Sequence, residues 1–471
     1  MKRVLLILLI LAVFSTFFVT TPLKAQGYIP TASIQLKINS ENFIVDGFDM
    51  KFIPGDYSKP VIINGVPYVP VRGVVEAVGG TVSWVSKERK VIISLNDKSL
   101  NLYINNPVAE VNGSKVKISD NSDVEPIIVN SRTLIPAEFL TKSLGGTFDM
   151  NKATNNIDIT LNKQLIQVID VTGRKVLVPK KIYKIVSLYP MSTQLLFPLK
   201  SEDKLIATPA GKVTDFNNFA KVLPDAKNLP DASDFRDPNI ETILSYKPDL
   251  IITTYQTPIK KLEETGIPVV LLNQESPQLL LKSIQFLGNI LGKYEEARQS
   301  LIYFNEKLNY IKGKTSIINK KATLYIAGAN ILTTFGGDFY QTYLAELAGV
   351  ISVSKVLLGG KVNVSAEQIL LWNPDYIVLT PYCADSVNDV LSNPKLKDLK
   401  AIKEKQVFRM PSYILSFDLP APESILGIMW LSNKTYPQIV NFDIEKEARN
   451  FYQKIYNFDI PEEDLKAVIG G

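Results

Sequence analysis

The sequence predicts an α/β protein in which two Rossmann-like lobes are joined by one long helix and preceded by a small α+β repeat module. Its 471 residues are enough for about three domains. A pattern made of a glutamate, a later Pro-Asp pair and an aliphatic run occurs twice, once with Glu241 and Pro248-Asp249 and once with Glu367 and Pro374-Asp375. A different repeat occupies the region before the first copy of this pattern, and a long amphipathic stretch lies between the two copies.

Residues 1–25 have the order of a secretory signal peptide. Lys2 and Arg3 precede a largely apolar stretch, residues 4–19, and cleavage is expected after Ala25. Leu23 is larger than the small residue that cleavage sites favour at this position, so an uncleaved membrane anchor stays open as the alternative. We therefore expect an exported protein, extracytoplasmic and located at a cell surface or in a periplasm.

The composition excludes several function classes. Lys and Arg total 52 against 47 Asp and Glu, a net charge of +5 without a basic tract, so nucleic acid is not an expected partner. Histidine is absent, which removes the commonest general base and metal ligand. Cys383 is the only cysteine, which rules out an internal disulfide and a cysteine metal cluster.

The first repeat predicts a tandem α+β module over residues 41–165. Segments 68–95 and 133–161 align, with Gly-Gly-Thr at 79–81 in one and at 145–147 in the other. Each copy predicts a strand, a short helix that ends at the Gly pair, and two further strands. The module resembles the copper amine oxidase N-terminal-like domain. Because the chain has no histidine, we expect no copper there; a cell-wall or partner contact and a passive spacer remain the two interpretations.

The rest of the chain alternates short apolar strands with helical spans, as parallel sheets with crossover helices do. The pattern predicts an N-terminal lobe at 166–292, an interlobe helix at 293–314 and a C-terminal lobe at 315–471. Apolar residues step by three and four along the helix, at Tyr294, Ala297, Leu301, Phe304, Leu308 and Ile311.

Five motifs in this order resemble the class III substrate-binding proteins of ABC importers, over residues 169–468. They are "DVTGRKVLVPKKIYKIVSLYP", "NIETILSYKPDLIITTY", "FYQTYLAELAGV", "VSAEQILLWNPDYIVLTPY" and "SILGIMWLSNKTYP" followed by "ARNFYQKIYNF". The resemblance implies a non-enzymatic protein, without a cofactor of its own, that delivers a metal chelate such as an iron-siderophore, cobalamin, cobinamide or haem to a permease dimer. It also implies that Glu241 and Glu367 dock onto the two permease subunits. One subgroup of the family binds molybdate or tungstate, so an oxyanion is the alternative cargo.

The ligand site is expected where the strands of both sheets end, since ligands of open α/β sheets bind outside the carboxyl ends. Tyrosines there suit a chelate or macrocycle, because they combine an apolar face with a hydroxyl. Arginines near these ends would neutralise an anionic chelate, and Asp418 would add a polar contact. The predicted ligand-binding residues are Tyr189, Pro190, Lys212, Arg236, Tyr255, Asn330, Tyr382, Arg409, Tyr413, Phe417 and Asp418.

Two other function classes fit the sequence less well. An enzyme of related fold would need a proton acceptor in the cleft and often a phosphate-binding glycine loop, and neither is found; "FGGDF" at 335–339 is not such a loop. A cell-surface adhesion protein would account for the tandem module but not for the matching glutamates. Because one stiff helix joins the lobes, we expect a largely pre-formed cleft.

Overall fold

The computed structural model describes residues 28–52, 58–121, 123–209, 215–232 and 235–469. The expected signal peptide and the predicted ligand residue Lys212 lie outside these ranges. Within them, no helix combines the length and apolar character needed to cross a membrane.

The module before the lobes is built from fourteen strands and two α-helices in the described ranges. It contains β1 (Thr31–Lys37), β2 (Asn42–Val45), β3 (Phe48–Lys51), β4 (Val61–Ile63), β5 (Val66–Pro70), α1 (Val71–Ala77), β6 (Thr81–Val85), β7 (Lys90–Leu95), β8 (Lys98–Tyr103), β9 (Val108–Val111), β10 (Ser114–Lys117), β11 (Ile127–Val129), β12 (Arg132–Pro136), α2 (Ala137–Ser143), β13 (Thr147–Asn151) and β14 (Asn156–Asn162).

The two repeat copies meet through their first strands, because β5 and β12 pair antiparallel at the centre of the sheet β11-β12-β5-β4. The later strands of the copies then enter different sheets, β10-β9-β8-β7-β6 and β13-β14-β1-β2-β3. After each helix the chain turns at a glycine with positive φ, Gly79 at +85° and Gly145 at +80°. A side chain at the next position, Gly146, would collide with the carbonyl of Thr160, so the Gly pair of the repeat is required by both backbone and packing.

The α/β part begins with a hairpin and continues as two lobes. It contains β15 (Leu165–Ile169), β16 (Lys175–Pro179), β17 (Ile185–Ser187), α3 (Pro190–Thr193), β18 (Leu205–Ala207), α4 (Phe216–Val222), α5 (Ile240–Ser245), β19 (Leu250–Thr254), α6 (Lys260–Glu264), β20 (Val269–Leu272), α7 (Pro277–Leu291), α8 (Tyr294–Thr315), β21 (Thr323–Ala327), β22 (Thr333–Phe335), α9 (Tyr340–Leu347), β23 (Ile351–Ser352), β24 (Lys361–Asn363), α10 (Ala366–Trp372), β25 (Tyr376–Leu379), α11 (Val387–Leu391), α12 (Lys400–Lys403), β26 (Val407–Arg409), α13 (Ser424–Thr435), α14 (Ile444–Tyr456) and α15 (Glu462–Ile469).

The lobes share one topology, which confirms the predicted fold class. Their parallel sheets have the orders β18-β17-β19-β20 and β23-β21-β25-β26, so β19 and β25 hold the same central place. These two strands are the aliphatic runs of the duplicated Glu…Pro-Asp pattern. The aspartate of each copy accepts a hydrogen bond from a backbone N–H at or just before the start of a neighbouring strand. Asp249 accepts from Tyr183, and Asp375 accepts from Thr323.

Helix α8 joins the lobes and packs against both. Its 22 residues span about 33 Å. Near its start Ala297 is buried with the N-terminal lobe, whereas Phe304 and Ile311 are buried with helices of the C-terminal lobe. One continuous hydrophobic stripe therefore fixes the two lobes relative to each other.

The tandem module is docked on the N-terminal lobe through a buried ion cluster. Lys163 of the module is fully buried and lies 2.7 Å from Asp46 and 2.5 Å from Asp249. The Tyr183 hydroxyl donates to the carbonyl of Ala77 in the module at 3.0 Å. Lys204 lies 5.2 Å from the ring centre of Phe48. Asp249, Tyr183 and Lys204 all come before lobe strands, so the module covers the amino edge of the sheet.

Candidate ligand-binding cleft

The segments that follow the carboxyl ends of both sheets meet between the lobes. The side-chain amide of Gln274, two residues beyond β20, donates to the carbonyls of Met191 at 3.0 Å and Pro420 at 3.4 Å. Ser192 donates to the Gln274 amide oxygen at 3.1 Å. We call this contact of Gln274 with Pro420 the floor of the cleft.

A second set of contacts next to the floor comes from α4. Asp215 donates its backbone N–H to the carbonyl of Ile414 at 3.1 Å, and Asn218 donates to the carbonyl of Tyr413 at 3.4 Å. Lys221 forms an ion pair with Asp464 at 2.6 Å. Polar contacts between the lobes thus add to the stiffness that α8 provides.

Aromatic side chains form the wall on the N-terminal lobe. Tyr189 follows β17 and meets Phe235 edge to face at 4.7 Å, and the Arg236 guanidinium lies 4.4 Å from the Phe235 ring centre. Burial raises the pKa of Tyr189, and Glu275 adds to this shift while Arg236 opposes it. Tyr255, which follows β19, is 42% exposed. The structure therefore brings the predicted residues Tyr189, Arg236 and Tyr255 together.

An amide and a carboxylate that the sequence analysis missed complete this wall. The Gln256 amide donates to the Tyr255 hydroxyl oxygen at 3.3 Å and to Glu275 Oε1 at 3.2 Å. Burial raises the pKa of the Glu275 carboxyl. Gln256 lies two positions and Glu275 three positions beyond a strand end, so the rule that placed Tyr255 would also have found them.

Tyr382 and Asp418 form the centre of the wall on the C-terminal lobe. Tyr382 follows β25, is 40% exposed, and donates its hydroxyl to Asp418 Oδ2 at 2.9 Å. Gln341, in the first turn of α9, donates to the same oxygen at 2.7 Å, and the Ser416 hydroxyl donates to Oδ1. Lys361 lies 5.8 Å from the Tyr382 ring centre.

Arg409 holds the loop that carries Tyr382. Its guanidinium donates to the carbonyls of Thr380 at 3.0 Å, Pro381 at 3.1 Å, Cys383 at 3.1 Å and Asp385 at 2.6 Å. This geometry favours a positioning role for Arg409 and not the contact with an anionic chelate that the sequence suggested.

Four other predicted ligand residues lie in settings that do not favour ligand contact. Phe417 is fully buried in the C-terminal core, and Pro190 is buried at the start of α3. Tyr413 is buried and donates its hydroxyl to Asp464 at 2.8 Å. Asn330 is exposed, but its side-chain oxygen accepts the backbone N–H of Leu332 at 2.9 Å within a turn. Their ligand roles remain predictions.

Behind the floor, the fully buried carboxyl of Glu423 supports the loop that α4 contacts. It accepts the backbone N–H groups of Ile414 at 3.1 Å and Leu415 at 2.7 Å, and the hydroxyl of Tyr452 at 2.6 Å. Burial raises its pKa to about 7, although these hydrogen bonds oppose the shift. Its position between "DLPAP" and a helix gave no signal in the sequence.

Replacing Glu423 with glutamine is expected to flatten the pH dependence of stability. A glutamate in an unfolded chain has a pKa of about 4.3, and the folded value is about 7. The folded state therefore binds the proton more tightly, so this stabilisation is complete below about pH 4 and is lost as the pH rises through about 7. The shift corresponds to roughly 4 kcal/mol at about 1.36 kcal/mol per pKa unit.

The measurement is the melting temperature of wild type and E423Q between pH 4.5 and 8, with the exposed Glu404→Gln as control. The glutamine changes local hydrogen bonding at every pH, so the slope and not the absolute value is compared. Parallel curves for wild type and E423Q would contradict the assignment.

The two matching glutamates occupy the same place in equivalent helices. Glu241 is exposed in the first turn of α5, where the Asn239 side chain accepts the N–H of Thr242. Glu367 is exposed in the first turn of α10, where Ser365 accepts the N–H of Gln368. Its own backbone N–H and Ser365, with a smaller contribution from Lys395, lower the pKa of Glu367.

Comparison with known proteins gives the class of this fold. Residues 185–414 match the periplasmic binding protein family, and residues 44–159 and 119–181 match the copper amine oxidase N-terminal domain. The α/β part is thus similar to the periplasmic binding proteins, and the module before it is similar to the copper amine oxidase N-terminal domain.

Individual relatives differ in what their names say they bind. The chain is 26% identical over 315 residues to the molybdate-binding protein MolA of Haemophilus influenzae, covering 61% of this chain and 90% of that protein. It is 25% identical over 201 residues to a vitamin B12-binding protein of Yersinia pestis, covering 42% and 69%. A solved ABC transporter solute-binding protein of Sulfurospirillum deleyianum is similar with 26% identity and a TM-score of 0.57, covering 64% of this chain and 98% of that one.

Proposed function

We propose that this protein is an extracytoplasmic substrate-binding protein that captures a chelated metal between its lobes and delivers it to the permease dimer of an ABC importer. Iron-siderophore, cobalamin, cobinamide and haem are the cargo classes. The protein acts by binding and not by catalysis, and the module at residues 41–165 holds it to the cell wall.

The observation that carries the proposal is the pair of tyrosine-bearing walls at the carboxyl ends of two equivalent sheets. Tyr189 and Tyr255 stand on one side, Tyr382 stands on the other, and the contact of Gln274 with Pro420 closes the base. Aromatic faces with a few polar groups suit a large, partly apolar chelate. A bare divalent ion would instead need carboxylate or imidazole ligands, and the chain has no histidine.

An oxyanion is the second candidate cargo, and one observation favours it. The match to the molybdate-binding protein covers more of this chain than the match to the vitamin B12-binding protein, 61% against 42%. Hydroxyl and amide groups on both walls would supply the contacts. The same experiment distinguishes the two cargo classes.

We expect one chelate to raise the melting temperature of the full chain by several degrees in a panel of ferric siderophores, cobalamin, cobinamide, haem, molybdate and tungstate. A ligand at 100 times its dissociation constant stabilises the folded state by about 2.7 kcal/mol. The double variant Tyr189→Ala, Tyr255→Ala should lose the shift. Tyr294→Ala, at an exposed tyrosine at the start of α8, is the matched control and should keep it.

A shift with molybdate or tungstate alone would replace the chelate with the oxyanion. A shift that persists in the double variant would place the ligand outside the cleft. No shift with any member of the panel would contradict the importer role and favour the adhesion alternative.

A further inference from the structure

The only hydroxyl hydrogen of Tyr382 is already donated in a hydrogen bond within the protein. The hydroxyl donates to Asp418 Oδ2 at 2.9 Å, and Asp418 is fully buried directly behind it. A phenol has one hydrogen to donate and lone pairs that accept. Any ligand atom that reaches this oxygen from the cleft must therefore supply the hydrogen itself.

The surroundings of Asp418 have the geometry expected around a hydrogen-bond acceptor. The Gln341 amide donates to Oδ2 at 2.7 Å, and the Ser416 hydroxyl donates to Oδ1, so with Tyr382 three donors converge on one group. Burial raises the pKa of Asp418 above its ordinary value, and these three hydrogen bonds, which stabilise the charged form, offset part of that shift. The hydrogen of the Tyr382 phenol therefore points at Asp418.

The phenol also stays neutral. Burial, and then the charge of Asp418, raise the pKa of Tyr382 far above its ordinary value. A tyrosinate that binds iron directly is thus disfavoured at this position, and Tyr382 presents a neutral acceptor.

The opposite wall adds acceptors and negative charge. The Gln256 amide donates to Glu275 and to the Tyr255 oxygen, which leaves the Glu275 carboxylate as an acceptor beside the cleft, while Tyr255 keeps its own hydrogen. The cations Lys361 and Arg236 lie near ring centres, at 5.8 Å from Tyr382 and 4.4 Å from Phe235. A dianion in the cleft would lie between Glu275 on one wall and Asp418, buried behind Tyr382, on the other.

We propose that the Tyr382–Asp418 pair selects a cargo that donates hydrogen bonds, a neutral or cationic metal chelate with N–H or O–H groups on its rim, and disfavours tetrahedral oxyanions. This inference rests on the proposed importer function. Asp418 acts as a positioning residue, because it accepts the hydroxyl hydrogen of Tyr382. Tyr382 is the residue that accepts a hydrogen bond from the ligand.

The test is isothermal titration of the full chain with four probes. Cyanocobalamin and ferrioxamine carry amide N–H groups, haem carries carboxylates, and molybdate offers only acceptors. Wild type is compared with Tyr382→Phe and with Tyr310→Phe, a matched control on α8 whose hydroxyl donates to Asn441 away from the cleft. We expect at least one amide-bearing chelate to bind, Y382F to weaken it about tenfold through the lost hydrogen bond, and Y310F to leave it unchanged.

Different results would overturn the inference about Tyr382 and the importer function. A chelate that binds wild type and Y382F equally, or molybdate binding that Y382F weakens, would overturn the inference and leave the importer role intact. No binding by any probe would overturn the importer role and the inference with it.

A second measurement needs no ligand. The infrared difference spectrum between wild type and Asp418→Asn at neutral pH should show the loss of carboxylate bands. A protonated carboxyl band in wild type would free the Tyr382 hydrogen for the ligand and overturn the inference.

Discussion

Replacing Lys163 with methionine is expected to lower the free energy of unfolding by about 3–5 kcal/mol, because it leaves two buried carboxylates without their shared cation. The Lys163 ammonium lies 2.7 Å from Asp46 and 2.5 Å from Asp249, and all three side chains are nearly or fully buried. It also lies 4.8 Å from the ring centre of Tyr183. Methionine keeps most of the length of the lysine side chain, so the loss reports mainly on the charge and not on a cavity.

The effect of the substitution can be measured both at the buried cluster and on the whole protein. Tyr183 and Lys184 donate their backbone N–H groups to Asp249, so hydrogen exchange at these amides should accelerate strongly in K163M while calorimetry records a lower melting temperature. Lys142→Met is the matched control, since Lys142 pairs with Glu138 on the surface of the same module. Its cost should stay within about 0.5 kcal/mol. Equal effects of the two substitutions would show that the buried cluster does not hold the module to the lobe.

The place of this cluster decides how the module can act. The module contacts the N-terminal lobe where the lobe strands begin, whereas the cleft lies where they end. A helix that leads into a parallel strand runs back along it, so α5 and α10 start at the carboxyl edge. Glu367 accordingly lies beside Leu332 in the loop after β21. A rigid module at one edge therefore leaves both the cleft and the helix starts open at the other.

The fold could be predicted because the sequence patterns that define it are local or occur twice. The Gly pairs after α1 and α2 marked the helix ends of both repeat copies, and the step of three and four from Tyr294 to Ile311 marked α8. The duplicated Glu…Pro-Asp pattern anticipated that β19 and β25 hold equivalent places. The strand-end rule also brought Tyr189, Tyr255 and Tyr382 to the cleft.

The parts that were not predictable depend on contacts between distant segments. Nothing local distinguishes Arg409, which donates to four carbonyls of a preceding loop, from an arginine that faces a ligand. Tyr413 and Phe417 also follow a strand end, yet the chain there turns into the core against α13 and α14. Lys163 and Asp249 are far apart in sequence, so their pairing across the domain boundary follows only from the docked structure.

Changing Glu241 and Glu367 together to alanine is expected to abolish most uptake while leaving ligand affinity unchanged. Each glutamate is exposed at the start of a helix in one lobe, and the helices lead into equivalent central strands, so a two-fold permease would receive one carboxylate from each lobe. Losing a charge pair at an interface costs about 2 kcal/mol, or roughly 30-fold in affinity, for each site. The single variants should thus show intermediate uptake and the double variant close to none.

Uptake is measured in cells whose own copy of the gene is replaced by each variant, and ligand binding is measured on the purified proteins. The control pair Glu264→Ala, Glu404→Ala removes one exposed glutamate from each lobe without touching the helix starts, and it should transport normally. Normal uptake by the Glu241 and Glu367 double variant would contradict the docking proposal. Equal losses in the control pair would mean that net charge, and not the two helix positions, guides the protein to its permease. A loss confined to the first pair would explain why the chain carries the Glu…Pro-Asp pattern twice, since each lobe must present its own carboxylate to its own subunit.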